Sequence, residues 1–508
     1  MDPILRVRNV SKIYPNGTVA NRDVSFDVAP QTVHAVVGEN GAGKTTLMKI
    51  VFGMTDAQEG EIFFRGEPHA PGSPHEAIRR GIGMVHQHLM LAPDLTVAEN
   101  LVLGVEPRRG KVFLDTRRTV EIAREISERY RLDVPADKRI RDLPVGTRQR
   151  VEILKALFRE AELLILDEPT AVLTPQESEI LFQTLDALKA EGKTILFISH
   201  KLDEVTRVAD SVTIMRDATV VDTRNAKELS RGEIARLMVG REIDFSRVGA
   251  PETVGEPLLE VRNLRHVNDE GIPVLRGVTF EVNAGEILGI AGVEGNGQTE
   301  LVRAITGLLQ PEEGQILIRG QDIAGLSPRQ VRERGVAHIP EDRMEDGVAV
   351  ETTLRENFII DRYYKPPFSK GIRLRWKEIS EFSRGLIRDF RILARDEEQE
   401  MASLSGGNIQ KCVVARELAS DPDVVVASQP TRGVDVGSWE QLHRLLVEAR
   451  DRGRAVFLVS ADLDEVLKLS TRILVMYNGE VVARFPDTSS VEAVDLGPYM
   501  LGVKRQEA

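Results

Sequence analysis

The 508-residue sequence predicts an α/β protein built as a tandem duplication. Three observations predict it. First, landmarks recur at a fixed spacing. Lys44 and Gln298 are 254 positions apart, as are Val24 and Val278, Gly60 and Gly314, and Gln87 and Glu341. Beyond a segment of variable length the spacing becomes 261, for Leu143 and Leu404, Asp167 and Ser428, and His200 and Ala461. A register this constant indicates a repeat. Second, short apolar runs alternate with stretches of helical periodicity, the pattern of a largely parallel sheet covered by helices. Third, a glycine-rich turn joins an apolar strand to a helix in each copy.

The elements follow in order. Leu5–Val7 and Val24–Val28 alternate apolar and polar residues and read as strands. Val33–Val37 is an apolar run leading into the glycine-rich turn, and Thr45–Phe52 reads as the helix after it. Residues 116–131 carry Val120, Ala123, Ile126 and Tyr130 at helical spacing. Leu163–Leu166 and Thr194–Ile198 are short apolar runs typical of strands covered on both faces. Residues 241–257 hold Gly249, Pro251, Gly255 and Pro257 with little periodicity. The expected division is therefore residues 1–242, a connector over 243–257, and residues 258–508. Met238-Val239-Gly240 and Met500-Leu501-Gly502 close the two copies alike.

Composition narrows the function. A net charge of −12 argues against a protein whose main task is gripping a nucleic-acid backbone. The only cysteine is Cys412, so neither an intrachain disulfide nor a thiolate zinc site can form, as expected in reducing cytosol. No run approaches the roughly 18 apolar residues of a spanning helix, and residues 1–10 lack the apolar core of a signal peptide. The chain is expected to be soluble, and any work at a membrane needs a partner that spans it.

The first copy carries the chemistry. Gly38-Glu39-Asn40-Gly41-Ala42-Gly43-Lys44-Thr45-Thr46 contains the pattern G-x-x-x-x-G-K-[ST] between a strand and a helix. Glycines let backbone N–H groups close around phosphate oxygens, and the helix N-terminus adds a favourable dipole. Lys44 is expected to neutralise the β- and γ-phosphates, and Thr45 to offer its hydroxyl to Mg²⁺. Leu163–Glu168 is an apolar strand ending in two carboxylates. Asp167 is expected in the metal shell, with Glu168 orienting or deprotonating the attacking water. An Asp-Glu pair alone is often a solvated turn; behind a phosphate loop it gains meaning. His200, after the strand Thr194–Ile198, is expected to contact the γ-phosphate, Gln87 to sense metal or water, and Tyr14 to stack on adenine.

The second copy has lost these groups and kept others. Gly292, Gly295 and Gly297 survive before Thr299, but Gln298 replaces the lysine and with it the strongest charge-assisted phosphate contact. Ser428 and Gln429 replace both carboxylates, Ala461 the histidine, Glu341 the glutamine, and Asn268 stands opposite Tyr14. Conversely, Leu404-Ser405-Gly406-Gly407-Asn408 has a hydroxyl and glycine N–H groups at a helix start, whereas the first copy has Leu143-Pro144-Val145-Gly146-Thr147. Pro144 lacks both donors yet suits the start of a helix.

This ordered set resembles the ABC transporter ATPases, over essentially the whole chain and twice. The resemblance maps Walker A onto Gly38–Thr45, the Q-loop onto Gln87, the signature onto Leu404–Asn408, Walker B onto Leu163–Glu168, and the switch histidine onto His200. It implies two tandem P-loop domains, each a RecA-like core with an antiparallel β subdomain and a helical subdomain. It also implies head-to-tail pairing with ATP between one domain's Walker motifs and the other's signature. One competent site is then expected, from Tyr14, Gly38–Thr46, Gln87, Asp167, Glu168 and His200 with Ser405, Gly406 and Gly407. The opposing site, with Gly292, Gly295, Gly297, Gln298, Thr299, Glu341, Ser428, Gln429, Ala461 and Pro144, is expected to bind nucleotide without effective hydrolysis.

Val151–Lys155, Ile339–Arg343 and Gln429–Asp435 resemble the fused ATPase of bacterial importers for simple sugars and nucleosides, and Ala427-Ser428-Gln429 with Ser460–Glu465 resembles the nucleoside branch. That group implies ATP and Mg²⁺, two membrane-spanning subunits, an extracytoplasmic binding protein, no nucleic acid, no direct substrate contact, and a place on the cytoplasmic face of the bacterial inner membrane. Loops after Gln87 and Glu341 are the expected docking surfaces, with Leu89, Met90 and Leu91 either anchors or local core. The alternatives are pentose import, a soluble twin-ATPase translation factor, and a nucleotide-gated regulator with little turnover. A translation factor of that kind is expected to have two intact sites and a long basic linker; intact Asp167 and Glu168 argue against the regulator.

Overall fold

The strand Leu5–Ile13 buries Leu5, Val7 and Val10 and pairs antiparallel with Val19–Val28 and Glu59–Phe64. The structure, a computed structural model, describes residues 2–506 apart from Asn16, Gln87, His88, Lys111, Val112, Arg131, Ala171, Val172, Thr174, His200, Ile243, Phe245, Ala250 and Glu252. It divides into two compact units, residues 1–243 and 244–508.

In the first unit a six-stranded sheet lies beside the small antiparallel one. Its strands are β1 (Val33–Gly38), β2 (Ile82–Val85), β3 (Leu163–Asp167), β4 (Thr194–Ile198), β5 (Ser211–Arg216) and β6 (Thr219–Asn225), in the order β6-β5-β1-β4-β3-β2. All neighbours are parallel except the hairpin β5–β6. Strand β3 explains why its sequence is uniformly apolar. Leu163 and Ile165 enter the core shared with the antiparallel sheet, and Leu164 and Leu166 enter the core under the helices. Both faces are covered, so no polar alternation survives. Helix α1 (Lys44–Val51) follows β1. Val97–Val102, Thr116–Arg129 and α2 (Val145–Phe158) pack as a helical layer on the second core.

The second unit repeats this plan. Its six-stranded sheet comprises β7 (Ile287–Ala291), β8 (Val336–Ile339), β9 (Val424–Ser428), β10 (Ala455–Val459), β11 (Arg472–Tyr477) and β12 (Glu480–Phe485), in the order β8-β9-β10-β7-β11-β12. Helix α3 (Gln298–Ile305) follows β7, and α4 (Gly406–Leu418) belongs to the helical layer. Phe280 and Phe457 stack at 5.2 Å inside the core.

The segment expected as a connector is tied to the second unit. The Val248 N–H donates to Lys468 O at 2.8 Å, and Gly255 N–H to Ala284 O at 2.9 Å. The Arg450 guanidinium donates to Gly249 O at 2.9 Å, and that of Arg247 to the carbonyls of Thr488 and Val491. Its proline and glycine content suppresses periodicity without freeing the chain. Among the described residues no helix is long and apolar enough to cross a membrane.

Candidate functional site

The turn from β1 to α1 is shaped by close approach. A Cβ on Gly38 would lie 2.4 Å from Met215 O, and one on Gly43, at φ 97°, 2.0 Å from Ala20 O. Glycine is required at both. Gly41, at φ 85°, faces open space. Glu39 and Asn40 are half-buried and Ala42 is buried, with its N–H donating to Glu39 O at 3.1 Å. The Lys44 ammonium folds over this loop, donating to Gly38 O at 2.7 Å and Glu39 O at 3.0 Å. A cation inside a turn of glycines at a helix N-terminus is a cradle for anionic oxygens. Tyr14 is half-buried beside it, its hydroxyl 3.3 Å from Thr46 Oγ1.

Thr45 is exposed, and its hydroxyl donates to Asp167 Oδ1 at 3.4 Å. Burial, and then the neighbouring Glu168, push the Asp167 carboxyl above its ordinary range, against the Thr45 bond and Lys44. A buried carboxylate facing a hydroxyl fits a divalent cation, whose charge would relieve that burial. Glu168, half-buried at φ 48°, donates its N–H to Ile198 O at 3.0 Å, which fixes its backbone just past the end of β3. Gln87 and His200 lie outside the described residues.

One residue escaped the motif reading. Glu204, buried, accepts from Thr170 Oγ1 at 2.5 Å and Ser199 Oγ at 2.9 Å. It ties the turn after β3 to the turn after β4. Its signal was its recurrence 261 positions on as Glu465, also buried, whose carboxylate meets His443 Nε2 at 2.8 Å.

The second unit folds its loop the same way and satisfies it internally. Gly295 and Gly297 keep φ of 88° and 100°. The buried Gln298 amide donates to Val293 O at 3.2 Å and accepts from the Asn296 N–H at 3.1 Å. A loop N–H of the phosphate cradle is thus taken by the side chain that replaced the lysine. A Cβ on Gly292 would collide with that amide at 2.2 Å. Thr299 is exposed and Ser428 buried. Gln429 repeats the φ of 48° seen at Glu168, and its Oε1 accepts from the Ala461 N–H at 2.9 Å. Glu341 pairs with Arg432. Asn268 ties its own turn, accepting from the N–H groups of Glu270 and Ile272, and offers no ring.

The signature-like segment is built for donation. Ser405, exposed, is the N-cap of α4, and its Oγ accepts from Asn408 Nδ2 at 2.9 Å. That bond leaves the hydroxyl hydrogen for an outside acceptor. Gly406 is half-buried; Gly407 is buried with Ser438 Oγ 2.5 Å from where a Cβ would stand. In the first unit Pro144 is the N-cap of α2 and brings no side-chain donor. Cys412 sits on α4, 2% exposed, its thiol pushed up by burial to about 12.

A second contrast lies between sheet and helical layer. In the first unit a cavity of about 310 Å³ is lined by Phe52, Ile78, Met84, Met90, Leu103 and Ala156 among others. Met90 is exposed, whereas Leu91 packs on the core. At the matching positions the second unit has Thr306 for Phe52, Arg332 for Ile78, His338 for Met84 and Glu417 for Ala156. Arg332 bonds Glu417 at 2.8 Å and Asp361 at 2.9 Å, and Arg416 meets Glu417 at 3.0 Å. An ion pair stands where the twin has Ile78 and Ala156, although Glu152, Lys155 and Arg159 also line the first unit's cavity.

The ABC transporter family profile matches residues 21–171 and 275–432. The chain belongs to the ABC transporter family. The chain is 43% identical to the "Nucleoside import ATP-binding protein NupA" of Lactococcus lactis, over 99% of this chain and 98% of that protein. It is 42% identical to the "Glucose import ATP-binding protein TsgD13" of Haloferax volcanii, over 95% and 92%. Among solved structures, that of the archaeal ribosome recycling factor aABCE1 with the stalk protein aP1 covers 97% of this chain and 92% of that one, at TM-score 0.65 and 20% identity, a likeness of fold alone. As an ABC protein the chain binds ATP, and both units are ABC ATPase domains.

Proposed function

We propose that this ABC import ATPase drives nucleoside uptake from one competent composite ATP site. The observation that carries the site is the complementary decay: Lys44, Thr45, Asp167 and Glu168 on the first unit, Ser405 and Gly407 on the second. The first unit's loop and Lys44 hold the phosphates, with Tyr14 against the base and Thr46 at the helix start. Thr45 and Asp167 are the groups that hold Mg²⁺, which when bound offsets the charge on the phosphate oxygens. Glu168 orients the attacking water and accepts its proton, with Gln87 and His200 completing the shell. Ser405 and the N–H groups of Gly406 and Gly407 bind the γ-phosphate from the opposite side. The other site, where Gln298 occupies a loop N–H, Gln429 is held by Ala461 and Pro144 offers no donor, binds nucleotide weakly and does not turn over.

ATP closes the units head to tail and hydrolysis reopens them, a two-state element that drives two membrane-spanning subunits. The chain sits at the cytoplasmic face of the bacterial inner membrane, docked through the loops after Gln87 and Glu341. An extracytoplasmic binding protein delivers the solute, which never touches this chain. The domain scheme is residues 1–242, connector 243–257 and 258–508. The nucleoside reading is supported by the carboxylate-free Ala427-Ser428-Gln429 and by the relative named for nucleoside import. The glucose-import relative keeps a sugar as the second reading.

The test is uptake of labelled nucleosides and pentoses by cells lacking the chain, complemented with wild type or Glu168→Gln. Nucleoside uptake restored by wild type alone is expected, with ATP turnover of the variant down by ~10² or more. Restored pentose uptake would overturn the solute, and substantial hydrolysis by Glu168→Gln the single-site scheme. Co-sedimentation with ribosomes would favour the translation-factor alternative.

A further inference from the structure

The loop after β8 reaches the start of α4 through one side chain. Asp342 caps the short π-turn Arg343–Gly347, accepting from the N–H groups of Met344 at 2.8 Å and Glu345 at 3.1 Å. This sends the Arg343 side chain across to two other segments. Its Nη1 donates to Arg432 O at 2.6 Å and its Nη2 to Gly433 O at 3.3 Å. The same Nη2 lies 2.6 Å from where a Cβ on Gly406 would stand. Arg343 Nε is buried with no acceptor among the described residues. The guanidinium is therefore wedged between the turn after β9 and the first residue of the signature helix. Glu341, two residues earlier, pairs with Arg432 and pins the same turn from its other side.

The two copies differ here in step with their signatures. Between Gln87 and Ala92 the first copy has only His88-Leu89-Met90-Leu91, three residues fewer than between Glu341 and Ala349 and without an arginine, and Ala171 stands at the position of Arg432, in the copy whose signature has Pro144. The copy that keeps Ser405, Gly406 and Gly407 is the one that carries the two arginines. A general packing role would be needed equally in both.

We infer that Arg343 is a positioning residue for the γ-phosphate: it holds Ser405, Gly406 and Gly407 in register with the turn 429–435. The inference rests on the composite-site reading. The planar fork spans two carbonyls and a glycine face at once, which a lysine ammonium on a flexible stem does not reproduce. Because it acts through donors aimed at the γ-phosphate, its loss weakens ATP and spares ADP, which Lys44 and the first unit's loop hold.

Four full-length variants test this: Arg343→Met, Arg343→Lys, Gly406→Ala and Ser405→Ala. Steady-state hydrolysis and ADP inhibition are measured for each. Arg343→Met is expected to raise the KM for ATP by about tenfold or more with kcat within about threefold, the mark of lost ground-state binding. The ADP inhibition constant stays within about twofold. Arg343→Lys does not restore the KM. Gly406→Ala, whose methyl displaces Nη2, copies the effect and serves if the arginine variants fold poorly. Ser405→Ala separates two failures. If it raises the KM while the Arg343 and Gly406 variants do not, Arg343 has no such role and the composite site stands. If Ser405→Ala changes nothing, the composite reading fails and the inference with it. Full rescue by lysine, or an equal loss of ADP affinity, overturns the inference alone.

Discussion

The Ala461 backbone N–H donates to Gln429 Oε1 at 2.9 Å, joining the two positions where the first copy has Glu168 and His200. The replacement side chain has found an intramolecular partner, so the second unit's hydrolytic corner is closed on itself rather than merely deprived of charge. Reversing the decay therefore takes more than one residue.

Restoring Gln298→Lys, Ser428→Asp, Gln429→Glu and Ala461→His together should leave ATP turnover within about twofold of wild type, because Pro144 still offers no hydroxyl. Adding Pro144→Ser and Val145→Gly should raise kcat to about twice wild type. Single-turnover measurements with stoichiometric nucleotide would count the competent sites. A full second turnover without the Pro144 change would refute the shared-site scheme.

Asp167 is held above its ordinary pKa by burial, the state that a bound cation would relieve. Asp167→Asn should raise the Mg²⁺ concentration for half-maximal hydrolysis by about tenfold or more. Binding of ATP in the presence of a chelator should be unaffected or slightly tighter, since a repulsive carboxylate has gone. An unchanged Mg²⁺ requirement would remove Asp167 from the metal shell.

The Arg332–Glu417 pair invites a double-mutant cycle. Arg332→Ile leaves the fully buried Glu417 with Arg416 as its remaining cation, at a cost of about 3 kcal/mol. Arg332→Ile with Glu417→Ala, the residues of the first copy, should recover at least half of that loss. Urea unfolding followed by Trp376 and Trp439, the two tryptophans and both in this unit, would report it. Additive losses would mean the two groups are not coupled.

His34 on β1 is 1% exposed between Ser211 Oγ and Thr213 Oγ1, each at 2.8 Å, and burial lowers its pKa to about 4. A lowered histidine keeps the fold from taking up a proton that the unfolded chain accepts. Its contribution is complete above pH 6.5 and is lost as pH falls toward 4, in all about 3 kcal/mol. Hydrogen-exchange protection of the β1 amides should fall over that window in wild type. The fall should be much shallower in His34→Gln. Parallel curves would show that His34 does not titrate there.

How far the residues announced this molecule can be judged element by element. The runs Val33–Val37, Leu163–Leu166 and Thr194–Ile198 lie inside observed strands, because doubly covered strands leave no other reading. The glycine-rich turn was legible for the same reason that it works, since Gly38 and Gly43 approach neighbouring carbonyls too closely for a side chain. The Gln298 bond to Asn296 was not legible, because nothing in a lysine-to-glutamine change says which N–H the new amide will take. Nor was the Arg332–Glu417 contact, whose partners are distant in sequence and meet only through the fold. In the connector read over residues 243–257, glycine and proline marked irregular backbone, but the bonds of Arg247, Val248 and Gly255 to the second unit were not legible from composition. Gln87 and His200 remain assignments from sequence.

Cys412 has a practical consequence. It is the lone thiol of the chain, sealed in α4 and held protonated far above neutral pH. Maleimides and spin labels react with thiolates, so the native polypeptide is already silent to them. Cysteines introduced one per half would then carry the only dyes in the sample. The proposed opening and closing during turnover then becomes testable by spectroscopy on an otherwise unaltered protein.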